Sequence, residues 1–165
     1  MKLIKKITQY CFTFLALRKI GKYKAVPKVN FYSRFTKNTF IGINCNFNGI
    51  IIRGEGRVVI GNNFHSGRDV LLINSYHKYD NGDAIPYDTK EMVDKDIVIK
   101  DNVWVGDRVI ILGGITIGEG AIVQAGSVVV KSIPKYAIVG GNPAEVFKYR
   151  NIESYKQLKS LSKWH

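Results

Sequence analysis

Histidine is the side chain whose ordinary pKa lies closest to neutrality, so proton transfer at working pH is sought first among His65, His77 and His165. His77 stands in INSYHKYD, at the head of a stretch crowded with Asp, Asn, Lys and Tyr. An imidazole placed there can take a proton from a substrate hydroxyl, assistance worth roughly 10²–10⁴-fold in rate. The alternative for His77 is a surface-loop histidine with no role. His65 directly follows Phe64 and reads as pointing outward, to the surface or toward a groove, and His165 is the last residue. A histidine zinc site needs three imidazoles around one ion. No paired histidine follows His77, so no metal is expected. Cys11 and Cys45 are too few for a disulfide framework. Cys45 lies four residues after Ile41 in an apolar column, which suits a core position better than a nucleophile.

These residues have to be held by something, and an internal repeat says what. From Ile97 the chain reads IVIKDN VWVGDR VIILGG ITIGEG AIVQAG SVVVKS. Ile99, Val105, Ile111, Ile117, Val123 and Val129 recur every six residues, and a second column runs through Ile97, Val103, Val109, Ile115, Ala121 and Ser127. The register reappears upstream in Val58, Phe64 and Val70, with Ile60 and Leu72 beside them, and more loosely in Thr39–Phe47. A helix would space its apolar residues by 3.6 and an exposed strand by 2. Period six with short β-branched runs fits a parallel β-helix, three hexads closing one triangular coil. Coils are expected over 58–75, 97–114 and 115–132, with an irregular one at 39–57. Gly106 and Gly118 read as corners that use φ > 0. Trp104, between inward Val103 and Val105, should face outward, into a subunit interface.

The rows on either side of residues 76–95 are out of register, so that segment reads as a loop thrown out between coils, a kind of excursion that is often functional. Residues 2–20 place Leu3, Ile7, Tyr10, Phe14 and Leu17 at helical spacing. Residues 152–164 place Ile152, Tyr155, Leu158, Leu161 and Trp164 three apart, with Asn151 as cap. The expected organisation is a basic amphipathic helical segment 1–28, a β-helix domain 29–150 and a C-terminal helix 151–165.

The chain has 165 residues and a formal net charge of +12, one domain's length. Residues 1–54 hold 11 Lys+Arg and no acid, whereas residues 55–145 hold 9 basic and 12 acidic residues. A nucleic-acid binder carries its basic residues across the reading face; a mildly acidic middle argues against that partner. The longest apolar run, Tyr10–Leu17, is shorter than the roughly 20 residues a bilayer span needs. No small-residue cleavage site follows it, so export is not expected.

The run DIVIKDNVWVGDRVIILGGITIGEGAIVQAGSVVVKSIPKYAIVGGNPAEVFKYR resembles the hexapeptide-repeat acyltransferases. Hexads, a looped-out histidine and a closing VGGNPA segment occur in that family's order. The resemblance covers roughly residues 39–150 and is nearest the sugar O-acetyltransferases of capsule, exopolysaccharide or lipopolysaccharide synthesis. The large helical N-terminal domain of serine acetyltransferases does not appear, nor does the N-terminal region typical of maltose and galactoside acetyltransferases. The resemblance implies an all-β fold, a left-handed parallel β-helix with short N- and C-terminal helices. It implies a homotrimer, acetyl-CoA as acyl donor, and a cytoplasmic enzyme where acetyl-CoA is found.

By residue, it implies that His77 is the general base on the acceptor hydroxyl, with direct transfer and no acyl-enzyme. Asn46 in CNFNG matches an asparagine that lines the acceptor and acetyl site, with Asn48 as its competitor. Asp107, Ala125, Val130, Lys131 and Lys148 match residues that hold coenzyme A. Two departures stand out. Val130 stands where the family often has Thr, and Glu145 where it often has Arg, putting negative charge near the phosphates with Arg150 as substitute. Tyr76, Tyr79 and Asp80, with Asp83 and Tyr87, suit sugar recognition by stacking and hydroxyl hydrogen bonds. Two other readings stay open, N-acetylation of an amino (nucleotide) sugar and a non-catalytic scaffold; a γ-type carbonic anhydrase on the same fold is disfavoured for want of three histidines around one site. The basic amphipathic residues 2–20 allow peripheral contact with anionic lipid, or cap the open end of the β-helix.

Overall fold

The six-residue columns close into a left-handed β-helix of about six turns with three flat faces. The structure is a computed structural model that describes residues 2–88 and 90–164, with the backbone alone for Lys2 and Leu3; His165 lies outside them. The first face stacks Lys22–Tyr23, Thr39–Ile41, Val58–Ile60, Ile97–Ile99 and Ile115–Ile117. The second stacks Lys28–Val29, Asn46–Phe47, His65–Ser66, Trp104–Val105, Ile122–Val123 and Ala137–Gly140. The third stacks Ile50–Arg53, Val70–Ile73, Ile110–Leu112 and Val128–Val129. All of these pair in parallel, and Glu145–Tyr149 then folds back antiparallel on Ala137–Gly140.

Both aliphatic columns point inward. Ile99, Val105, Ile111, Ile117, Val123 and Val129 are buried, as are Ile97, Val103, Val109, Ile115, Ala121 and Ser127. Each fully buried Val or Ile contributes about 1.5–3 kcal/mol of transfer free energy. Cys45 is also buried, and its Sγ donates to the Gly61 carbonyl at 3.2 Å. Trp104 projects outward at 55% exposure.

The stack is taller than the repeat suggested. Lys22–Tyr23 and Lys28–Val29 already pair with Phe40–Ile41 and Asn46–Phe47, so a further turn precedes residue 39 and begins inside the segment read as helical. Its strands are two residues long, too short to show periodicity.

The corners also differ from expectation. Gly106 and Gly118 do not adopt positive φ; along one corner that role falls to Asn44, Asn63 and Asn102 (φ 53°, 55° and 60°) and then to Gly120 (φ 69°). Asparagine tolerates this region because its short polar side chain bonds locally. Here the amides bond along the stack: Asn44 Nδ2 to Asn63 Oδ1 at 3.0 Å, and Asn63 Nδ2 to Asn102 Oδ1 at 2.9 Å. The two glycines are required for space instead. A Cβ on Gly106 would lie 2.6 Å from the Ala125 nitrogen, and one on Gly118 2.5 Å from the Lys135 nitrogen.

Helices close both ends, as an open solenoid requires. Helix α1 (Lys2–Leu17) lies over the first turn. Ala16 is buried, Phe12 and Leu17 pack on the core, and Thr13 Oγ1 accepts from Val29 N at 3.1 Å. The predicted stripe instead turns outward, with Ile7, Tyr10 and Phe14 exposed. The side that meets the solenoid carries Gln9, Phe12, Thr13 and Ala16, and the Phe12 ring centre lies 5.8 Å from that of Phe31. Helix α2 (Ile152–Ser160) is capped by Asn151 Oδ1, which accepts from Ser154 N at 2.9 Å. Only Tyr155 of its apolar series anchors it: Asn102 Nδ2 donates to Tyr155 Oη at 2.7 Å, and Tyr155 Oη donates to Glu119 at 3.0 Å. Leu158, Leu161 and Trp164 stay exposed.

Candidate active site

The looped-out segment is an arm with a hairpin foot. Ser75–His77 pairs antiparallel with Met92–Asp94, placing His77 opposite Met92 where the arm leaves the solenoid. The His77 ring stacks on Tyr87, with centroids 4.3 Å apart and 19° between planes. Among the described residues no hydrogen bond orients it; the stack does. Tyr76 and Tyr79 lie 5.8 Å apart, and the Lys95 ammonium stands 5.3 Å from the Tyr76 ring centre. Asp80 is exposed at the tip. The arm therefore carries two separate ring pairs, His77–Tyr87 and Tyr76–Tyr79.

Asp88 is the part of the arm that sequence reasoning missed. It is 5% exposed, and its carboxylate accepts from Lys90 N at 2.8 Å and Asp83 N at 3.2 Å. Those N–H groups, Lys90's first, hold the carboxyl below the ordinary carboxylate range.

Asn46 lies elsewhere, in the second turn on the second face. Among the described residues no hydrogen bond or ring contact joins it to His77. It and its competitor Asn48 belong to one cluster with a hub at Asn30, whose Nδ2 donates to Asn46 Oδ1 at 2.6 Å and to Asn48 Oδ1 at 2.9 Å. Gln9 of α1 donates to Asn30 Oδ1 in turn. The cluster lines an open cavity of about 370 Å³ together with Lys5, Phe31 and Arg68. The one sequence signal for Asn30 is KVN at 28–30 repeating NFN at 46–48 one turn earlier, the register in which those strands pair.

The coenzyme residues divide. Asp107 and Ala125 line one groove of about 550 Å³ with Arg68, Asp69 and Arg108. Asp107 Oδ1 is occupied by Arg68 N at 2.8 Å. Val130 is exposed just beyond the last strand of the third face, and Lys131 pairs with Glu145 at 2.9 Å, both side chains largely in solvent. Lys148 lies exposed on the returning strand, opposite Ile138. Arg150 is tied down, its Nε donating to the Gly120 carbonyl at 2.5 Å. A further groove of about 500 Å³ runs between the second face and α2, lined by His65, Trp104, Arg150, Tyr155 and Trp164 among others. The Cys45 thiol is pushed up to about 11 by burial, so it is protonated near neutrality and ill-suited as a nucleophile.

Residues 96–131 match the bacterial transferase hexapeptide (six repeats) family. The chain is 28% identical to a galactoside acetyltransferase solved in complex with coenzyme A, with a TM-score of 0.68 over 93% of this chain and 82% of that one. Residues 96–131 thus carry the transferase hexapeptide repeat, and the chain is similar over most of its length to hexapeptide-repeat acetyltransferases. A hexapeptide-repeat acetyltransferase of Vibrio cholerae O1 biovar eltor, solved with acetyl coenzyme A, is 27% identical at a TM-score of 0.66, covering 87% of this chain and 77% of that one. The galactoside O-acetyltransferase of Escherichia coli K12 is 33% identical over 125 residues, 73% of this chain and 58% of that protein. Across the curated relatives matched over most of this chain, the matched stretch spans 52–60% of their own length. The expected family and the left-handed β-helix are thus both observed.

Proposed function

We propose that this hexapeptide-repeat protein transfers an acetyl group from acetyl-CoA to a sugar hydroxyl of a bacterial-type surface polysaccharide. The observation that carries the reading is His77, lifted off the solenoid on an arm and stacked on Tyr87. The likeness to galactoside O-acetyltransferase supports a sugar as acceptor. In this mechanism His77 takes the proton as the acceptor oxygen bonds to the thioester carbonyl carbon. The C–S bond then breaks, and the imidazolium returns its proton to the departing thiolate. The products are an O-acetyl sugar and free coenzyme A. The Asp107–Ala125 groove would take the pantetheine arm. Lys131 and Lys148 would meet the phosphates, Lys131 exchanging Glu145 for them. A surface ion pair is worth only about 0–1 kcal/mol, so that exchange is cheap. Three copies would place these grooves between subunits and cover Trp104.

The test is acetyl-CoA thiol release with a panel of sugars, nucleotide sugars and polysaccharide fragments. His77→Ala should lower kcat roughly 10²–10⁴-fold with acetyl-CoA affinity and assembly unchanged. Wild-type turnover in that variant refutes the assignment.

A second role, compatible with the first, is favoured by α1. Ile4, Ile7, Tyr10, Phe14 and Leu15 are exposed on the arc opposite the residues that pack on the solenoid. At 100° per residue that arc covers roughly 140°. Residues 1–54 carry 11 basic side chains and no acid, and among the described residues no helix is long and apolar enough to cross a membrane. In this reading α1 lies in the interface of an anionic bilayer. Full-length protein should sediment with phosphatidylserine vesicles at low salt and a variant lacking residues 1–24 should not; equal recovery in both supernatants rejects the contact.

A further inference from the structure

We infer that the cavity between α1 and the second face binds an anionic sugar, carrying a carboxylate or a phosphate, as the acceptor of the proposed transfer. The inference rests on that reading of function and adds the class of substrate. It follows from which hydrogen-bonding groups the cavity has left to offer. Asn30 Nδ2 occupies the carbonyl oxygens of Asn46 and Asn48, and Gln9 Nε2 occupies that of Asn30. Asn48 Nδ2 is directed to the Ser66 carbonyl at 2.7 Å. The amide oxygens of the cluster are thus largely spent on one another. What remains is mostly donors: the Asn46 amide N–H groups, the Lys5 ammonium and the Arg68 guanidinium, with Gln9 Oε1 the exception.

Charge points the same way. No acidic residue lines the cavity. Among the described residues neither Lys5 nor Arg68 has a carboxylate partner; Arg68 lies over the Phe31 ring at 5.5 Å. Two cations without a carboxylate, flanking free N–H donors, match an anion bearing hydroxyls. A neutral sugar would make no use of either charge, both of which stand in solvent in the free protein. Arg68 also lines the groove that holds Asp107 and Ala125, so the two spaces adjoin at this residue. A ligand in the cavity would lie beside the proposed coenzyme groove; no arm residue lines the cavity, so the His77 that serves it would come from a neighbouring copy in the proposed trimer.

The experiment compares glucose, glucuronate and glucose 6-phosphate as acceptors for the full-length protein in the thiol-release assay. At least one acidic member should exceed glucose in kcat/KM by about tenfold, the worth of one charge-assisted hydrogen bond. Lys5→Gln should reduce that ratio about tenfold through the acceptor KM, and Lys5→Glu should reverse it. Equal use of all three sugars, or a ratio untouched by Lys5→Gln, overturns the inference while leaving acetyl transfer standing. A change confined to the acetyl-CoA KM also overturns it, because the cations then serve the coenzyme. If no sugar is acetylated the functional reading fails, and the cavity is judged by titrating glucuronate and glucose 6-phosphate followed by NMR. Binding weakened by Lys5→Gln supports the anion site; no binding to the wild type overturns it.

Discussion

The turns at 97–132 and the arm at 75–94 are built by opposite rules. In the turns two side chains of every six are buried in columns, strands pair in parallel, and even the corner glycines are dictated by backbone one turn away. In the arm the side chains are mostly exposed, two short strands meet at the foot, and order rests on ring contacts, the Lys78–Glu91 ion pair and one buried carboxylate. The contrast shows where the chemistry is placed. The uniform part supplies a rigid frame and grooves, whereas the candidate proton-transfer group and the amide cluster stand where the repeat is interrupted or begins.

Three measurements test this division, beginning with the largest effect. Ile111→Ala, deep in the turns, should destabilise the protein by about 2–5 kcal/mol in thermal or denaturant unfolding. Tyr79→Ala, on the arm at 64% exposure, should stay within about 0.5 kcal/mol. A comparable loss from both would mean that the arm is part of the frame. Next, Glu145→Arg removes the carboxylate from Lys131 and adds a cation beside it. The acetyl-CoA KM should fall about fivefold at low ionic strength, and the gain should shrink with added salt. An unchanged or raised KM would place the phosphates elsewhere.

The smallest effect concerns pH. The Asp88 carboxyl is held below its ordinary value, so it helps close the arm at all pH above that ordinary value and ceases to as pH falls through the depressed one. Protection of the amides of residues 80–88 against exchange, relative to their intrinsic rates, should therefore persist down to about pH 4 and fall below it, while the turns remain protected. Asp88→Asn should show the lower protection already at neutral pH. Uniform loss of protection in arm and turns together would count against a separately held tip.

Much of this division is legible in the amino-acid sequence itself. The columns from Ile97 to Val129 stand out because packing in a narrow prism leaves one side chain per position. The arm shows as a break in register. The first turn does not show, since Lys22–Tyr23 and Lys28–Val29 are too short to establish a period. Nor does the facing of α1. Periodicity groups Ile7, Tyr10 and Phe14 on one side of a helix, yet says nothing about whether that side meets protein or solvent. His77 is legible because it follows the last strand of a coil. The hub at Asn30 is hardly marked, because its partners come from a helix, Gln9, and from the next turn, Asn46 and Asn48.

The foot of the arm has one more consequence. Ser75 bonds to Asp94, and Lys95 N returns to the Asn74 carbonyl at 2.8 Å, so the chain re-enters the stack beside the point where it left. Val58 and Ile97 then pair as though nothing lay between them. The frame is therefore indifferent to how long the excursion is or what it contains. Such a molecule can exchange the tip, lengthen it or change its polarity, and so acquire a different acceptor, without renegotiating a single contact of the solenoid.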